Sequence, residues 1–286
     1  MSPHWTELHA PPALPELFLR AALKRKVSGR TLPEGGLRCA VSVDARNLAA
    51  YRRLCGFADD GLLPPTYPHL LAFALQMRLL TDADFPFPLL GLVHLENRIR
   101  VLRPLGGLGP FRVGVRVADL QPHAKGALFS LLISLDDQLG PLWEGESRFL
   151  SRALKLEGEP RQAAPREAPE LAEVARWTVP ADTGRAYARI AGDYNPIHLS
   201  AASARLFGFP RAIAHGLWLK ARSLAELGER LPGAGYEVEV RFKKPLLLPG
   251  ELTLLASTPA ETGQLALRGA DELPHMDGDW RTLAHS

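Results

Sequence analysis

"VSVDARNLAAYRRLCG" (Val41–Gly56) and "WTVPADTGRAYARIAG" (Trp177–Gly192) align without a gap at an offset of 136 residues. Val43 falls on Val179, Ala50 on Ala186, Tyr51 on Tyr187, Arg53 on Arg189 and Gly56 on Gly192. Two further pairs follow in the same order. "PHLLAFALQMRLL" (Pro68–Leu80) resembles "AHGLWLKARSLAEL" (Ala214–Leu227), with His69 opposite His215. "NRIRVLRPL" (Asn97–Leu105) resembles "VEVRFKKPL" (Val238–Leu246), with Arg100 opposite Arg241 and Pro104 opposite Pro245. Three matches in one order imply two copies of one fold. Between them "LEGEPRQAAPREAPELAE" (Leu156–Glu173), rich in Pro, Ala and charge, reads as a linker. The expected domains are therefore 1–160 and 161–286.

Each copy has the same coarse layout. A short strand leads into a short helix that carries Tyr51 or Tyr187 and Arg53 or Arg189. A longer helix follows, apolar at helical spacing: Leu217, Leu219, Ala221, Leu224, Ala225, Leu227 and Leu231 in the second copy. Strands come next. The first copy offers "LLGLVHLENRIRVLRPL", "FRVGVRVADLQP" and "ALFSLLISLDD", and the second "GYEVEVRFKKPLLLPG", "ELTLLASTPA" and "QLALRGA". In "YEVEVRF" the alternation puts Tyr236, Val238, Val240 and Phe242 on one face and Glu237, Glu239 and Arg241 on the other. A long apolar helix ahead of several antiparallel strands is an α+β arrangement, in which a sheet covers the helix.

The bulk numbers narrow the function classes. At 286 residues, 46% hydrophobic and 23% charged, the chain is globular and long enough for one large domain or two smaller ones. The formal charge of +3, from 34 basic and 31 acidic residues, suits a small anionic ligand and gives no support to nucleic-acid binding. Cys39 and Cys55 form neither a CxxC pair nor a cluster with zinc spacing, so they read as buried apolar residues in a reducing compartment, and no metal site is expected. The basic cluster in "PPALPELFLRAALKRK" follows the apolar residues, the wrong order for a secretory signal. The longest apolar run, "GALFSLLISL", is about half of a membrane span. A cytoplasmic protein without membrane partners is expected.

The copies differ most after the shared glycine. The second copy continues from Gly192 into "DYNPIH" (Asp193–His198) and then "LSAASARLFGFPRAIAHG" (Leu199–Gly216). The first goes through "FADDGLLPPTYPHL" (Phe57–Leu70), a path ten residues shorter with no Asn-Pro-x-His. A purely structural turn would be needed in both copies, so the asymmetry favours function. Pro196 fixes its own φ and pushes Asn195 toward extended backbone, so helix is not expected to continue here. Asp193 and His198 can then face each other across a short loop. A carboxylate beside a neutral imidazole can activate water near pH 7, and Asn195 supplies both a donor and an acceptor. Gly216 opens the long helix, where free N–H groups stabilise developing negative charge and a ligand carbonyl can approach closely. His215 reads as a structural residue or a helix cap, with a base as the alternative. Arg241, Lys243 and Lys244 read as a solvated strand face or a phosphate contact. Tyr187 and Arg189 recur in both copies, which favours a structural role.

"AGDYNPIH" followed by "AHG" resembles the signature of the MaoC-like dehydratases, which include the R-specific 2-enoyl-CoA hydratases. Gly192, Asp193, Asn195, Pro196, Ile197 and His198 fill every position of G-D-x-N-P-[LIV]-H, and Gly216 fits the family's oxyanion glycine. The resemblance implies a double hotdog, each half a long central helix wrapped by a curved antiparallel sheet. It implies reversible hydration of a trans-2-enoyl thioester to the (R)-3-hydroxyacyl thioester. Asp193 and His198 would hold the water and move its protons, Asn195 would assist, and the Gly216 N–H would polarise the thioester carbonyl. His215, Arg241, Lys243 and Lys244 would contact the substrate or coenzyme A. No cofactor is implied beyond the coenzyme A or phosphopantetheine thioester that is itself the substrate. The first half, lacking the catalytic loop, would accept the acyl chain, with Leu71, Phe73 and Leu75 as candidate lining. An acyl-carrier-protein thioester is the alternative substrate, a non-catalytic acyl-thioester binder the alternative class, and a homodimer of double hotdogs a possible assembly.

Overall fold

The computed structural model describes residues 4–159 and 170–284. Along the chain the elements are β1 (Trp5–Leu8), α1 (Leu14–Leu23), β2 (Gly36–Val41), α2 (Ala45–Cys55), α3 (Pro68–Leu80), β3 (Val93–Val101), β4 (Phe111–His123), β5 (Gly126–Asp137) and β6 (Gly140–Ser151). After the linker come β7 (Ala172–Val179), α4 (Thr183–Ala191), a 3-10 turn over Pro196–His198, α5 (Ala201–Arg205), α6 (Gly216–Leu227), β8 (Tyr236–Phe242), β9 (Gly250–Ala256), β10 (Thr262–Arg268) and β11 (Pro274–Thr282). The expected boundary near residue 160 lies outside the described residues. The last two residues of the expected linker, Ala172 and Glu173, already belong to β7.

The chain forms two compact units that interleave in sequence. One holds the chain as far as Val43, Leu71–Asn97, and the stretch from Leu108 to the linker; the other holds Asp44–Leu70, Arg98–Gly107 and everything after the linker. β3 changes unit between Asn97 and Arg98.

In the first unit the strand order is β1-β2-β4-β5-β6, continuing to the first half of β3. β1 runs parallel to β2, and the β2–β4, β4–β5 and β5–β6 pairs are antiparallel. Val113, Val115, Phe129 and Leu131 from these strands and Ala72, Leu75 and Met77 from α3 are buried. Phe85 and Phe87 meet Phe129 edge-on and stacked, with centroids 5.3 and 5.7 Å away. Of the candidate acyl-lining residues, Leu75 is fully buried, while Leu71 and Phe73 are half-buried.

In the second unit β8, β11, β10, β9 and β7 are neighbours in that order, and every pair is antiparallel. α6 buries Trp218, Leu219, Lys220, Ala221, Ser223, Leu224 and Leu227, so residues all round the helix are covered. α2 and α4 are the repeated helices. Tyr51 and Tyr187 are both buried with rings 6.3 Å apart, and the Asn47 side chain donates to the Ile190 carbonyl at 2.9 Å. Arg53 and Arg189 are exposed in the last turn of each helix, where a cation offsets the carbonyl end of the dipole. The repeated Tyr–x–Arg pattern is thus a packing and capping device.

The structure departs from the sequence expectations in three places. α6 stops at Leu227 and not Leu231, because Gly228 takes φ 49° and a 3-10 turn follows to Arg230. β1, α1, β6, α5 and β11 are additional elements. Glu237, on the polar face of β8, is only 6% exposed, because Arg100 and Arg281 pair with its two oxygens at 3.3 and 2.9 Å. Cys39 and Cys55 are buried free thiols. No helix among the described residues is long and apolar enough to cross a membrane.

Candidate active site

The distinctive loop builds itself from its own side chains. α4 ends where Gly192 takes φ 77°, a left-handed cap that glycine adopts at little cost. The Asp193 carboxylate then accepts from the Asn195 N–H at 3.2 Å, and the Asn195 side-chain oxygen accepts from the Ile197 N–H at 3.4 Å. These two side-chain-to-backbone turns are the local bonding that Asp and Asn favour. Asn195 lies at φ −56°, ψ 125°, extended as the residue before a proline should be, and Pro196 opens the 3-10 turn. Ser203 of α5 donates to the Pro196 carbonyl at 2.7 Å and ties the turn from outside.

This turn delivers His198 into the interior at 8% exposure. Its Nδ1 lies 2.8 Å from the Ile213 carbonyl, and the Ile213 N–H donates back to Ile197 O at 3.0 Å. A carbonyl can only accept, so Nδ1 carries the proton and Nε2 is left as a bare lone pair. The first turn of α4 must come close for this arrangement. A β-carbon on Gly184 would stand 2.2 Å from the His198 carbonyl oxygen, so only glycine fits.

His215, the N-cap of α6 and 4% exposed, lies flat against His198, with centroids 3.6 Å apart and planes 25° apart. Its Nε2 is 3.1 Å from the Asp193 backbone carbonyl and 3.8 Å from Asp193 Oδ2. Tyr187 packs on its other surroundings at 4.9 Å between centroids. One ligating atom each from Asp193, His198 and His215 fall within 4.8 Å of one another, close enough to share a water or a metal ion.

Burial sets the protonation states. The protein around Asp193 crowds its carboxyl even though 34% of the side chain reaches solvent, and desolvation lifts its pKa above the usual value, against the pull of His198 and the Asn195 N–H. Desolvation lowers His198, opposed by the Asp193 charge, and it holds His215 well below the ordinary imidazole range, helped by His198. Two neutral imidazoles therefore stand beside a carboxyl that gives up its proton reluctantly.

Gly216 begins α6 directly after His215, and the cap residue makes no side-chain bond to the helix N–H groups. Those donors are free of side-chain capping at the edge of the cluster. The Phe242 ring would stand 3.0 Å from a β-carbon here, so glycine also lets the helix start lie against β8.

Asp193, Asn195, His198, His215 and Gly216 are thus brought together. Arg241 is not part of this group. It projects from the face of β8 opposite Phe242, toward Asp279 and Glu239 at 3.6 and 4.0 Å. Lys243 pairs with Asp277 at 3.6 Å on that side, and Lys244 is exposed. Tyr187, Gly184 and the Ile213 carbonyl serve the site but were not singled out for it from sequence. Of these, only Tyr187 carries a sequence signal, its recurrence in both copies.

The equivalent corner of the first copy is filled differently. Asp59 and Asp60, possible counterparts of Asp193, are exposed and pair with Arg52. Arg222 of α6 donates to the Cys55 carbonyl at 3.4 Å and packs so tightly on Gly56 that a β-carbon there would meet its guanidinium. His69, opposite His215 in the repeat, is buried and its pKa falls to about 3, through desolvation first and the nearby Lys220 second.

Comparison with known proteins places these features. Residues 161–260 match the family described as MaoC like domain. The chain is 37% identical over 246 residues to 3-hydroxyacyl-thioester dehydratase X of Mycobacterium tuberculosis, covering 84% of this chain and 86% of that one. The crystal structure of HtdX from the same organism superimposes with a TM-score of 0.75 at 33% identity, covering 87% of this chain and all of that one. A further M. tuberculosis protein, described as having a double hotdog fold, matches 92% of this chain and 96% of its own with a TM-score of 0.57 at 13% identity. The fold is the double hotdog.

Proposed function

The chain belongs to the MaoC-like dehydratase family, and from that premise we propose that it hydrates trans-2-enoyl thioesters reversibly to (R)-3-hydroxyacyl thioesters, at the Asp193–His198 loop. The observation that carries the site is the buried His198, its Nδ1–H committed to the Ile213 carbonyl and a ring nitrogen within 4.8 Å of a carboxylate oxygen of Asp193.

In the hydration direction a water sits between His198 and Asp193. Nε2 of His198 takes one of its protons as the oxygen bonds to C3 of the enoyl group. Negative charge flows to the thioester oxygen, where the Gly216 N–H at the start of α6 stabilises it. The Asp193 carboxyl, which burial makes readier to hold a proton than a free carboxyl, gives its proton to C2. Imidazolium His198 then returns a proton to Asp193, and the pair is restored. Water's two hydrogens and oxygen are accounted for, and dehydration is the reverse. Asn195 keeps its side-chain amide available to steer the water, since only its oxygen is used within the loop.

Coenzyme A thioesters are the proposed substrates, with carrier-protein thioesters as the alternative, and the exposed Lys243 and Lys244 are the proposed phosphate contacts. A cytoplasmic location and pairing of two chains belong to the same proposal. The test is direct. Crotonyl-CoA and a long-chain trans-2-enoyl-CoA are mixed with the protein and loss of the enoyl absorbance is followed. Asp193→Asn and His198→Gln should each lower kcat by about 100-fold or more. A wild-type protein inactive on CoA and carrier-protein thioesters alike, or variants that match it, would overturn the reading.

A further inference from the structure

We infer that His215 is a positioning residue: a permanently neutral imidazole that staples the backbone of Asp193 to the start of α6 and backs the ring of His198. This rests on the hydratase reading above, and it replaces a substrate-binding role for His215 with one that acts through its neighbours.

The bonding fixes the tautomer. Nε2 of His215 faces the Asp193 carbonyl oxygen at 3.1 Å, and an oxygen of that kind has nothing to donate, so Nε2 carries the proton. Nδ1 is then a bare acceptor. It is buried and has no hydrogen-bond partner among the described residues. A second proton on Nδ1 would be a buried donor with no acceptor beside it, which is costly. His198 is the mirror case, protonated on Nδ1 toward Ile213 and bare on Nε2. The two stacked rings therefore hold opposite tautomers.

The placement explains what the ring does. Asp193 follows the left-handed Gly192, and inside its own loop only its side chain is engaged. The His215 bond is the contact that fixes its carbonyl, and hence the direction in which the carboxyl leaves the chain. The same ring covers one face of His198 at 3.6 Å, while Tyr187 packs against His215 at 4.9 Å. His198 can neither tip away nor exchange its stacked neighbour for water. The ring is thereby held in one orientation, and a displacement of about 1 Å at a reacting group costs on the order of 100-fold in rate.

The experiment has two independent arms. In the first, long-range proton–nitrogen NMR correlations on the resting protein assign the tautomers. Nε2–H for His215 beside Nδ1–H for His198 is expected, and an Nδ1–H or protonated His215 at pH 7 overturns the inference, whatever the activity. In the second, His215→Leu and His215→Gln are compared on crotonyl-CoA, with thermal melting to show that each is folded. Leu, without a donor, should lose about 10–100-fold in kcat with KM within about 3-fold, the scale found when a supporting partner of a functional group is removed. Gln, whose amide can still reach the Asp193 carbonyl, should recover most of that loss. A raised KM at unchanged kcat would make His215 a substrate contact. Equal losses in both variants, or none, would show that the bond to Asp193 is not used. A wild type inactive on thioesters would sink the hydratase reading alone and leave the NMR arm standing.

Discussion

Gly184 in the first turn of α4 presses directly on the His198 carbonyl: a β-carbon at that position would lie 2.2 Å from the oxygen. The Asp193–His198 loop is seated on a helix backbone with no room for a methyl group. Gly184→Ala gains up to about 1 kcal/mol of helix propensity, but overpacking against fixed backbone costs about 1–3 kcal/mol. The clash should win. The variant is expected to melt lower and to lose about 10-fold or more in kcat with little change in KM. A variant with wild-type melting and turnover would show that the contact can relax freely.

Gly216 carries a softer constraint. Its missing β-carbon leaves room for the Phe242 ring, which would otherwise stand at 3.0 Å. Gly216→Ala should lower kcat about 10-fold by shifting the helix start that polarises the thioester. Phe242→Leu in the same chain should restore part of the loss, since the coupling of touching residues is measurable in a double-mutant cycle. Additive effects in that cycle would place the added methyl against substrate and not against the ring.

The pH profile follows from the direction of the shifts. His198 acts as a base only when neutral, and burial lowers its pKa, so the acid limb of kcat/KM should lie below the usual imidazole value of about 6.5. The Asp193 charge opposes that shift. Asp193 is protonated in the proposed step, so the residual activity of Asp193→Asn should keep its acid limb at or below the wild-type position. A limb that moves upward would contradict the assignment of His198 as the base.

Stability should respond to acid through His69. Its folded pKa of about 3 lies below its unfolded value, so the unfolded chain binds the extra proton first. The contribution is complete above the unfolded pKa near 6.5 and is lost as pH falls from there toward 3, at up to about 1.4 kcal/mol per pH unit. Urea unfolding at pH 7, 6 and 5 measures the slope. His69→Phe should flatten it by about one proton's worth; an unchanged slope would mean that His69 is charged in the folded protein.

The first copy offers a control. Asp59 and Asp60 sit on Arg52 at the surface and have no part in the proposed chemistry. Asp59→Asn and Asp60→Asn should leave kcat/KM within about 2-fold, as surface pairs of this type contribute little. A loss comparable to that of Asp193→Asn would mean that the first copy is also chemically active.

What could be read from the sequence was whatever lies close along the chain. Asp193, Asn195 and His198 meet through bonds spanning two or three residues, so their spacing alone suggested a loop with chemistry. The internal repeat supplied α2, α3, α4, α6 and most strands. The remainder depends on distant partners. Arg241 and Lys243 read from sequence as a solvated strand face or a phosphate contact, and only the distant β11 supplies their acidic neighbours, Asp279 and Asp277. β11 itself alternates, with Met276, Gly278 and Trp280 buried between Asp277, Asp279 and Arg281, but its central glycine and acids disguise it as a turn. Gly184 reads as an ordinary helix position until the turn at His198 lands on it. The Ile213 carbonyl carries no side-chain signature at all, and yet it sets the tautomer of His198.

The Arg222 guanidinium packed over Gly56 has a consequence for counting. A symmetric pair of hotdogs would present two equivalent reacting centres, whereas one corner of this chain is plugged by a side chain from its own central helix. One turnover site per polypeptide is accordingly expected, and a tight-binding thioester analogue should saturate the protein at a single equivalent per 286-residue chain.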